Sequence, residues 1–260
     1  MSVQVNIPMS KGFLYVVFGE EYLTPFKTSA KYLKKVSKLP LAVITNLKTL
    51  TKKDVPEVDI VRYVDLDTNR NRVIRTKAID YTPFDQTLMT DADSIPISRS
   101  VDSLFQNLNT HDFGFQLVKE YTDMIPRIYG HAIYKTRITT PLVVYSGGII
   151  LFNKNEKCER FFTTWHNYWK LTGEGRDMPA LTCAIKNSDI NFFLVDHCID
   201  REIGPNTKIF HAYGDHDKTI IPTFNKNKPF DNRRDLWELI PIQPNTILEH
   251  DPLEHDEDEL

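Results

Sequence analysis

The stretch Tyr81-Thr-Pro-Phe-Asp-Gln-Thr-Leu-Met-Thr-Asp-Ala-Asp93 decides the fold, because a short apolar run within it ends at two carboxylates. The run Thr87-Leu-Met-Thr90 lies between two prolines, a pattern that predicts a buried β-strand. Residues two apart on an extended chain face the same side, so Asp91 and Asp93 should lie together at the end of this strand. Two carboxylates placed there can share a divalent cation, and ligands of open α/β sheets bind at this end of the strands. The alternative interpretation is a solvated aspartate pair between a strand and a loop.

The chain before this strand alternates apolar runs with one amphipathic segment. Residues 12–18, 39–45 and 58–64 are the apolar runs, and each predicts a strand. Residues 20–38 repeat apolar side chains at helical spacing and predict a helix whose lysines form either a solvated face or a face for a polyanion. A strand, helix and strand in this order predict a parallel sheet. The glycine fingerprint GxGxxG of dinucleotide-binding enzymes is absent from the sequence.

A basic cluster stands just ahead of the acidic strand. It comprises Arg70, Arg72, Arg75 and Lys77. Guanidinium and ammonium groups bind phosphate oxygens, so Arg75 and Lys77 are candidate neighbours of a phosphate or a ribose. Exposed charges at the start of a helix are the alternative.

Two glycines join a pair of apolar runs in Pro141-Leu-Val-Val-Tyr-Ser-Gly-Gly-Ile-Ile-Leu-Phe152. Small residues there either let the backbone approach a ligand closely or mark a bulge in a strand. Residues 157–171 carry aromatic side chains at helical spacing and predict a helix that contributes to the core. Asp177 opens a further helix, with Pro179 in its first turn, and residues 192–196 and 208–211 predict late strands.

Composition narrows the class of protein. A chain of 260 residues with 41% apolar residues can build one sizeable α/β domain. We predict that this domain covers residues 1–240 and that residues 241–260 form an acidic tail. A net charge of −3 provides no general attraction for polyanions. Three cysteines without CxxC spacing, no signal-peptide pattern and no apolar run long enough to span a membrane predict a cytoplasmic protein.

The order of these motifs resembles that of GT-A nucleotide-sugar glycosyltransferases, especially the glycogenin-like family (family 8 type) that includes bacterial lipopolysaccharide galactosyltransferases. Members carry a Pro-Phe/Tyr-Asp-x-x-Leu strand ending in Asp-x-Asp, an Asn/Ser-Gly-Gly strand, an Asp-Gln-Pro-x-Leu helix start and a His-x-x-Gly-x-x-Lys-Pro segment. The present chain matches at residues 83–93, 146–148 and 177–181, although Met178 replaces the glutamine. His211 and Gly214 match the last motif, while Lys218 stands one residue late and lacks the proline.

The resemblance implies a GT-A (Rossmann-like) single domain with a mostly parallel sheet flanked by helices. It also implies transfer of a sugar from a nucleotide-diphosphate sugar, most commonly a UDP-sugar, to an acceptor hydroxyl with retention of configuration. Manganese (Mn²⁺), or magnesium (Mg²⁺), would be held by Asp91, Asp93 and His211, although a lone histidine after a strand also occurs as a structural residue.

The remaining site residues follow from the same resemblance. Asp177, Gly147 and Gly148 would be the catalytic residues, close to the transferred sugar or the acceptor, although Asp177 also suits a helix N-terminus. Together with the basic residues of the cluster above, the candidate donor-binding residues are Phe18, Gly19, Tyr22, Arg75, Lys77, Asp91, Ala92, Asp93, Gly214 and Lys218.

The acceptor is not specified by these motifs. Residues 111–140 are long, aromatic and weakly periodic, and we predict that they lie on the acceptor side. A glycan or a protein fits this composition better than nucleic acid, because the chain is acidic overall.

Two other functional classes stay open on the sequence. A nucleotidyltransferase that makes sugar nucleotides would use a similar sheet and metal, but a glycine- and arginine-rich loop is expected after its first strand, and residues 18–22 lack one. A non-catalytic binding protein on the same scaffold would be favoured by a missing metal ligand, and all three candidates are present.

Overall fold

The computed structural model describes residues 10–66, 71–117, 145–172, 177–195, 199–200 and 207–211. All of them belong to one compact unit, Met1–His216. The predicted tail, residues 241–260, lies outside the described residues, so the domain boundary after residue 240 stays a prediction. Most of the segment predicted at the acceptor side, residues 118–140, also lies outside them.

The apolar runs fold into the predicted strands, with small shifts at their ends. The strands are β1 (Lys11–Val17), β2 (Leu41–Thr45), β3 (Ile60–Tyr63), β4 (Gln86–Thr90), β5 (Ser94–Pro96), β6 (Phe113–Leu117), β7 (Tyr145–Asn153), β8 (Phe192–Leu194), β9 (Ile199–Asp200) and β10 (Ile209–His211). The α-helices are α1 (Leu23–Val36), α2 (Arg72–Arg75), α3 (Ala78–Tyr81), α4 (Glu156–Leu171) and α5 (Asp177–Lys186). Two 3-10 helices cover Glu20–Tyr22 and Arg99–Asn109.

Seven strands form the main sheet in the order β3-β2-β1-β4-β7-β6-β8. The pairs β1/β2, β2/β3, β1/β4 and β6/β8 are parallel, whereas β7 runs antiparallel to both β4 and β6. The prediction of a mostly parallel sheet flanked by helices is therefore confirmed. Because β1 to β4 run in the same direction, their C-terminal ends meet at one edge of the sheet.

A second, three-stranded sheet has the order β5-β10-β9. Strand β10 runs antiparallel to β5, and this register places His211 opposite Ser94. The late strand is thereby brought to the turn that follows β4.

Helix α4 supplies much of the aromatic core. The side chain of Asn155 accepts a hydrogen bond from the backbone N–H of Cys158 at 2.9 Å and caps its start. The predicted core aromatics Phe161, Phe162, Trp165 and Trp169 are buried, while Tyr168 is half-buried. The rings of Phe161 and Phe162 pack against phenylalanines of β6 and β7, and the Trp165 ring packs against Phe162.

Helix α1 begins later than the apolar spacing predicts, because Glu20–Tyr22 form a 3-10 turn first. Its buried stripe includes Phe26, Ala30 and Leu33, as expected from their helical spacing. No helix within the described ranges combines the length and the apolar character that a membrane span needs.

Candidate functional site

The two aspartates predicted at the end of β4 meet a histidine from β10. Strand β4 ends at Thr90, and the backbone N–H of Ser94 donates to the carbonyl of Asp91 at 3.1 Å, closing a turn. The Nε2 atom of His211 lies 3.4 Å from Oδ1 of Asp93 and 3.8 Å from Oδ2 of Asp91. One ligand atom from each of the three side chains falls within 4.8 Å of the others. The three residues that were predicted together from the sequence therefore lie together.

The turn between the aspartates is supported from the core. Ser29 of α1 donates its hydroxyl hydrogen to the carbonyl of Ser94. Its oxygen lies 2.6 Å from the hydroxyl of Tyr15, which must then be the donor of that pair. All three residues are buried, and burial raises the pKa of Tyr15, so its hydroxyl keeps its proton. Ala92 is buried between the two aspartates.

Arg75 lies beside this cluster and connects three elements. Its Nη1 contacts Oδ1 of Asp91, and its Nη2 donates to the carbonyl of Gly147 in β7. Its Nε lies 3.4 Å from Oδ2 of Asp177 at the start of α5. The Arg75 side chain is only 9% exposed, so the interpretation of exposed charges at a helix start is wrong for this residue. The guanidinium instead forms hydrogen bonds with the Asp91 carboxylate and the Gly147 carbonyl, and an ion pair with Asp177.

The two glycines of β7 lie between these charged groups. A Cβ atom on Gly148 would stand 2.6 Å from Cε1 of His211 and 3.0 Å from Oδ2 of Asp91. A Cβ atom on Gly147 would stand 3.1 Å from Oδ2 of Asp177. A side chain at either position would therefore press on a functional candidate, and at Gly148 the overlap is too close for any real Cβ contact.

A bulge, one of the two alternatives left open by the glycine pair, is present in β7. Opposite β6, the pairing moves from Ile150 to Ser146 on β7 while β6 advances by one residue, from Phe115 to Gln116. The carbonyl of Gly147 binds Arg75, and the carbonyl of Gly148 accepts from the backbone N–H of Asp91 at 3.0 Å. The bulged backbone is thus hydrogen-bonded to Arg75 and to the start of the aspartate turn.

The electrostatics of the site are unbalanced toward negative charge. Burial raises the pKa of Asp91 to about 6, although Arg75 opposes this shift, and the nearby Asp93 adds to it. Burial alone would lower the pKa of Arg75, but the ion pairs with Asp91 and Asp177 leave it raised. Three carboxylates therefore face one guanidinium, and Asp91 ionises at a higher pH than an ordinary aspartate.

These observations test whether a divalent cation fits. Two carboxylates and an imidazole form a donor set suited to manganese, and their ligand atoms already converge. The missing side chain at Gly148 lets His211 and Asp91 approach the backbone of β7 closely. The residues present fit a cation of this kind.

Four further predicted donor-binding residues, Phe18, Gly19, Tyr22 and Lys77, lie within the described part of the chain. Phe18 follows β1, and its side chain is fully buried in the core. Gly19 has φ +89°, which an L side chain rarely adopts, and the Glu21 carboxylate occupies the space where its Cβ would be. Tyr22 ends the 3-10 turn, and Lys77 is half-buried between α2 and α3. Gly214 and Lys218 lie outside the described residues, so their roles stay predictions.

Sequence reasoning missed the connection between Arg75 and Asp177. It placed both near a donor, but it did not pair them, because 102 positions separate them along the chain. The one available signal was the presence of an arginine shortly before an acidic strand. The helical spacing predicted Trp165 only as a core aromatic, and it gave no role to His166; these two side chains form hydrogen bonds with the backbone of Asp177 and with Thr76.

Comparison with solved structures identifies the fold. The LgtC galactosyltransferase, solved with donor and acceptor sugar analogues, superposes with a TM-score of 0.56 over 88% of this chain and 94% of its own, at 12% identity. Mouse xyloside xylosyltransferase 1, in its apo form, gives a TM-score of 0.55 over 79% of this chain and 98% of its own, also at 12% identity. The WbbM bifunctional glycosyltransferase gives 0.55 over 81% of this chain and 47% of its own, at 9% identity.

No protein-family model and no curated protein matches the sequence. The likeness is therefore one of fold: the chain has the GT-A glycosyltransferase fold, as the sequence motifs predicted.

Proposed function

We propose that this protein is a metal-dependent glycosyltransferase that moves a sugar from a nucleotide-diphosphate sugar to an acceptor hydroxyl. The observation that carries the proposal is the convergence of Asp91, Asp93 and His211 at the carboxyl edge of a GT-A sheet. Ligands of open α/β sheets bind at this edge. A UDP-sugar donor, retention of configuration and manganese as the ion are the finer parts of the proposal, and they come from the motif resemblance.

The three proposed metal ligands differ in their other contacts. Asp91 offers Oδ1 to Arg75, which leaves Oδ2 facing His211. Asp93 and His211 complete the donor set. When bound, the cation supplies positive charge that offsets the charge developing on the diphosphate leaving group. The bond from the anomeric carbon to the diphosphate oxygen breaks, the bond to the acceptor oxygen forms, and the acceptor proton is released.

The other candidates surround the transferred sugar in this proposal. Asp177 is held by Arg75 beside the bulged glycines Gly147 and Gly148, so its carboxylate can accept a hydrogen bond from a sugar hydroxyl. The glycine backbone permits close approach of a ring. Lys77, Gly214 and Lys218 are proposed on the diphosphate side. A glycan or protein acceptor is favoured over nucleic acid by the net charge of −3.

The location proposed with this function is the cytoplasm. Cys158 and Cys183 are both buried and free, which fits a reducing compartment.

Incubation with manganese and a panel of nucleotide sugars tests the proposal directly. We expect release of free nucleoside diphosphate from one donor, and its loss in chelator or in Asp93→Asn. Circular dichroism should show that Asp93→Asn keeps the fold. Unchanged donor affinity in chelator, measured by calorimetry, would contradict the metal dependence. Pyrophosphate release from a sugar phosphate and a nucleoside triphosphate would instead favour a nucleotidyltransferase.

A pair of variants tests the division of roles. His211→Ala should weaken manganese binding at least tenfold, because it removes one of three protein ligands. Asp177→Ala should lower turnover with manganese affinity nearly unchanged, because its carboxylate contacts Arg75 rather than the ligand cluster. Equal losses of manganese affinity in both variants would contradict this assignment.

A further inference from the structure

Two neighbouring residues of helix α4 form hydrogen bonds close to the buried ion pair, one with Asp177 and one with the residue after Arg75. The indole Nε1 of Trp165 donates to the backbone carbonyl of Asp177 at 3.1 Å. The imidazole Nδ1 of His166 lies 2.8 Å from the hydroxyl of Thr76, the residue directly after Arg75. Both hydrogen bonds are buried, so neither can be replaced cheaply by water.

The direction of the histidine bond follows from the hydroxyl it meets. Thr76 donates its single hydroxyl hydrogen to the carbonyl of Val73 at 3.1 Å. The hydroxyl can then only accept at its other contact, so Nδ1 of His166 is the donor. His166 consequently carries a proton on Nδ1. Loss of the Thr76 hydroxyl would remove the acceptor of this buried N–H.

The helix that carries Arg75 is too short to orient the side chain alone. Helix α2 has four residues, and a single helical turn is unstable without tertiary contacts. Thr76 caps it, with its backbone N–H bonded to the carbonyl of Arg72. The hydrogen bond from His166 therefore anchors the end of α2 to the longest helix among the described residues.

We propose that His166 and Trp165 are positioning residues, which hold Arg75 and Asp177 at a fixed separation beside the metal ligands. This inference rests on the proposed function. Arg75 contacts groups from β4, β7 and α5 simultaneously, so a displacement of either helix end breaks at least one contact. Misplacement of a catalytic array by about 1 Å can lower a rate by about a hundredfold.

The principal test compares two substitutions at Thr76. Thr76→Val keeps the shape but removes the acceptor, whereas Thr76→Ser keeps the hydroxyl. For hydrolysis of the donor identified by the panel, we expect kcat to fall at least tenfold in Thr76→Val and less than twofold in Thr76→Ser. The donor KM and the manganese affinity should change less than kcat, because backbone hydrogen bonds of the aspartate turn and the pairing of β10 also hold the metal ligands. His166→Phe and Trp165→Phe should reproduce the effect of Thr76→Val.

Thr87→Val is the matched control. Thr87 is also fully buried, and its hydroxyl lies 2.6 Å from that of Thr82. It lies four residues before Asp91 on β4, roughly 13 Å away along the strand. We expect a comparable fall in Tm with an unchanged kcat. Equal losses of kcat in Thr76→Val and Thr87→Val, or an unchanged kcat in Thr76→Val, would overturn the proposal.

A second measurement does not depend on turnover. In ¹⁵N-labelled protein, the Nε–H signal of Arg75, assigned by its loss in Arg75→Lys, should exchange slowly with solvent because the Arg75 side chain is buried beside Asp177. It should broaden or exchange at least tenfold faster in Thr76→Val and His166→Phe, and persist in Thr87→Val. A signal that exchanges equally in Thr76→Val and wild type, or as fast as an exposed arginine in wild type, would overturn the inference. If the expected changes appear in a protein that hydrolyses no donor, the proposed function fails and the positioning role stands.

Discussion

Replacing Arg75 with methionine should expose how much the site depends on its internal cation. The methionine keeps most of the side-chain length but leaves Asp91 and Asp177 buried without their guanidinium, and it leaves the Gly147 carbonyl without that donor. Removing one partner of a buried ion pair costs about 3 to 5 kcal/mol, and we expect a loss in that range at pH 7.5 without metal. Urea unfolding followed by tryptophan fluorescence measures it.

The pH dependence of this loss has a definite sign. The pKa of Asp91 is raised to about 6 in the folded protein, against about 3.9 in an unfolded chain. Ionised Asp91 therefore lowers the free energy of unfolding, fully so above about pH 6. This destabilisation is lost as the pH falls from about 6 to about 3.9 and Asp91 is protonated. Without Arg75 the folded pKa rises further, so the deficit of the variant should shrink between pH 7.5 and pH 5.

The control is Arg62→Met, which removes a half-buried arginine whose Nη1 donates to the carbonyl of Tyr81 at 2.6 Å. We expect a loss of about 1.5 kcal/mol with little pH dependence. A loss below about 1 kcal/mol for Arg75→Met at pH 7.5, or the same loss at both pH values, would refute the electrostatic reasoning.

Three further predictions concern the glycine pair, the pH dependence of metal binding and the reactivity of a buried cysteine. Gly148→Ala should weaken manganese binding at least tenfold in calorimetry, because its Cβ would overlap His211, whereas Gly147→Ala should change it less than threefold; equal effects would contradict the close approach. Manganese affinity should fall steeply below pH 6, because protons compete for Asp91, and a flat profile from pH 5 to 7.5 would count against this carboxylate as a ligand. Cys158 should resist iodoacetamide in the folded protein and react only after urea unfolding, because burial raises the pKa of its thiol to about 12; rapid alkylation of the native protein would disprove this.

The metal ligands were predictable because their signal is local. Asp91 and Asp93 stand together after an apolar run, and His211 ends another, so strand periodicity places each at a strand end. The resemblance to the glycogenin-like family then predicts that the aspartates and the histidine belong to one metal site. The strand order was not predictable in the same way. No local pattern in the sequence of β7 indicates that this strand lies between β4 and β6 and runs antiparallel to both.

The glycine pair and the arginine show where local patterns fail. For residues 146–148 the sequence left a bulge and a ligand-facing backbone as alternatives, and the bulge is present with its carbonyls turned into the site. For Arg75 it offered a phosphate neighbour or a solvated charge, whereas the structure buries it against Asp91 and Asp177. Burial of a charge depends on partners far away in the chain, which periodicity and spacing do not encode.

The small sheet that brings His211 to Ser94 also means that the metal site can be completed only late in translation. Strand β10 is made more than a hundred residues after the aspartate turn that it completes. At the usual pace of a ribosome, of about 5 to 20 residues per second, the interval is roughly 6 to 24 s. During that time the nascent chain carries a carboxylate pair without its imidazole partner, and any ion it holds is held by fewer ligands. Truncation before residue 209 would permanently remove the imidazole ligand. A premature stop codon late in the coding sequence should therefore damage the metal site as much as one in its middle.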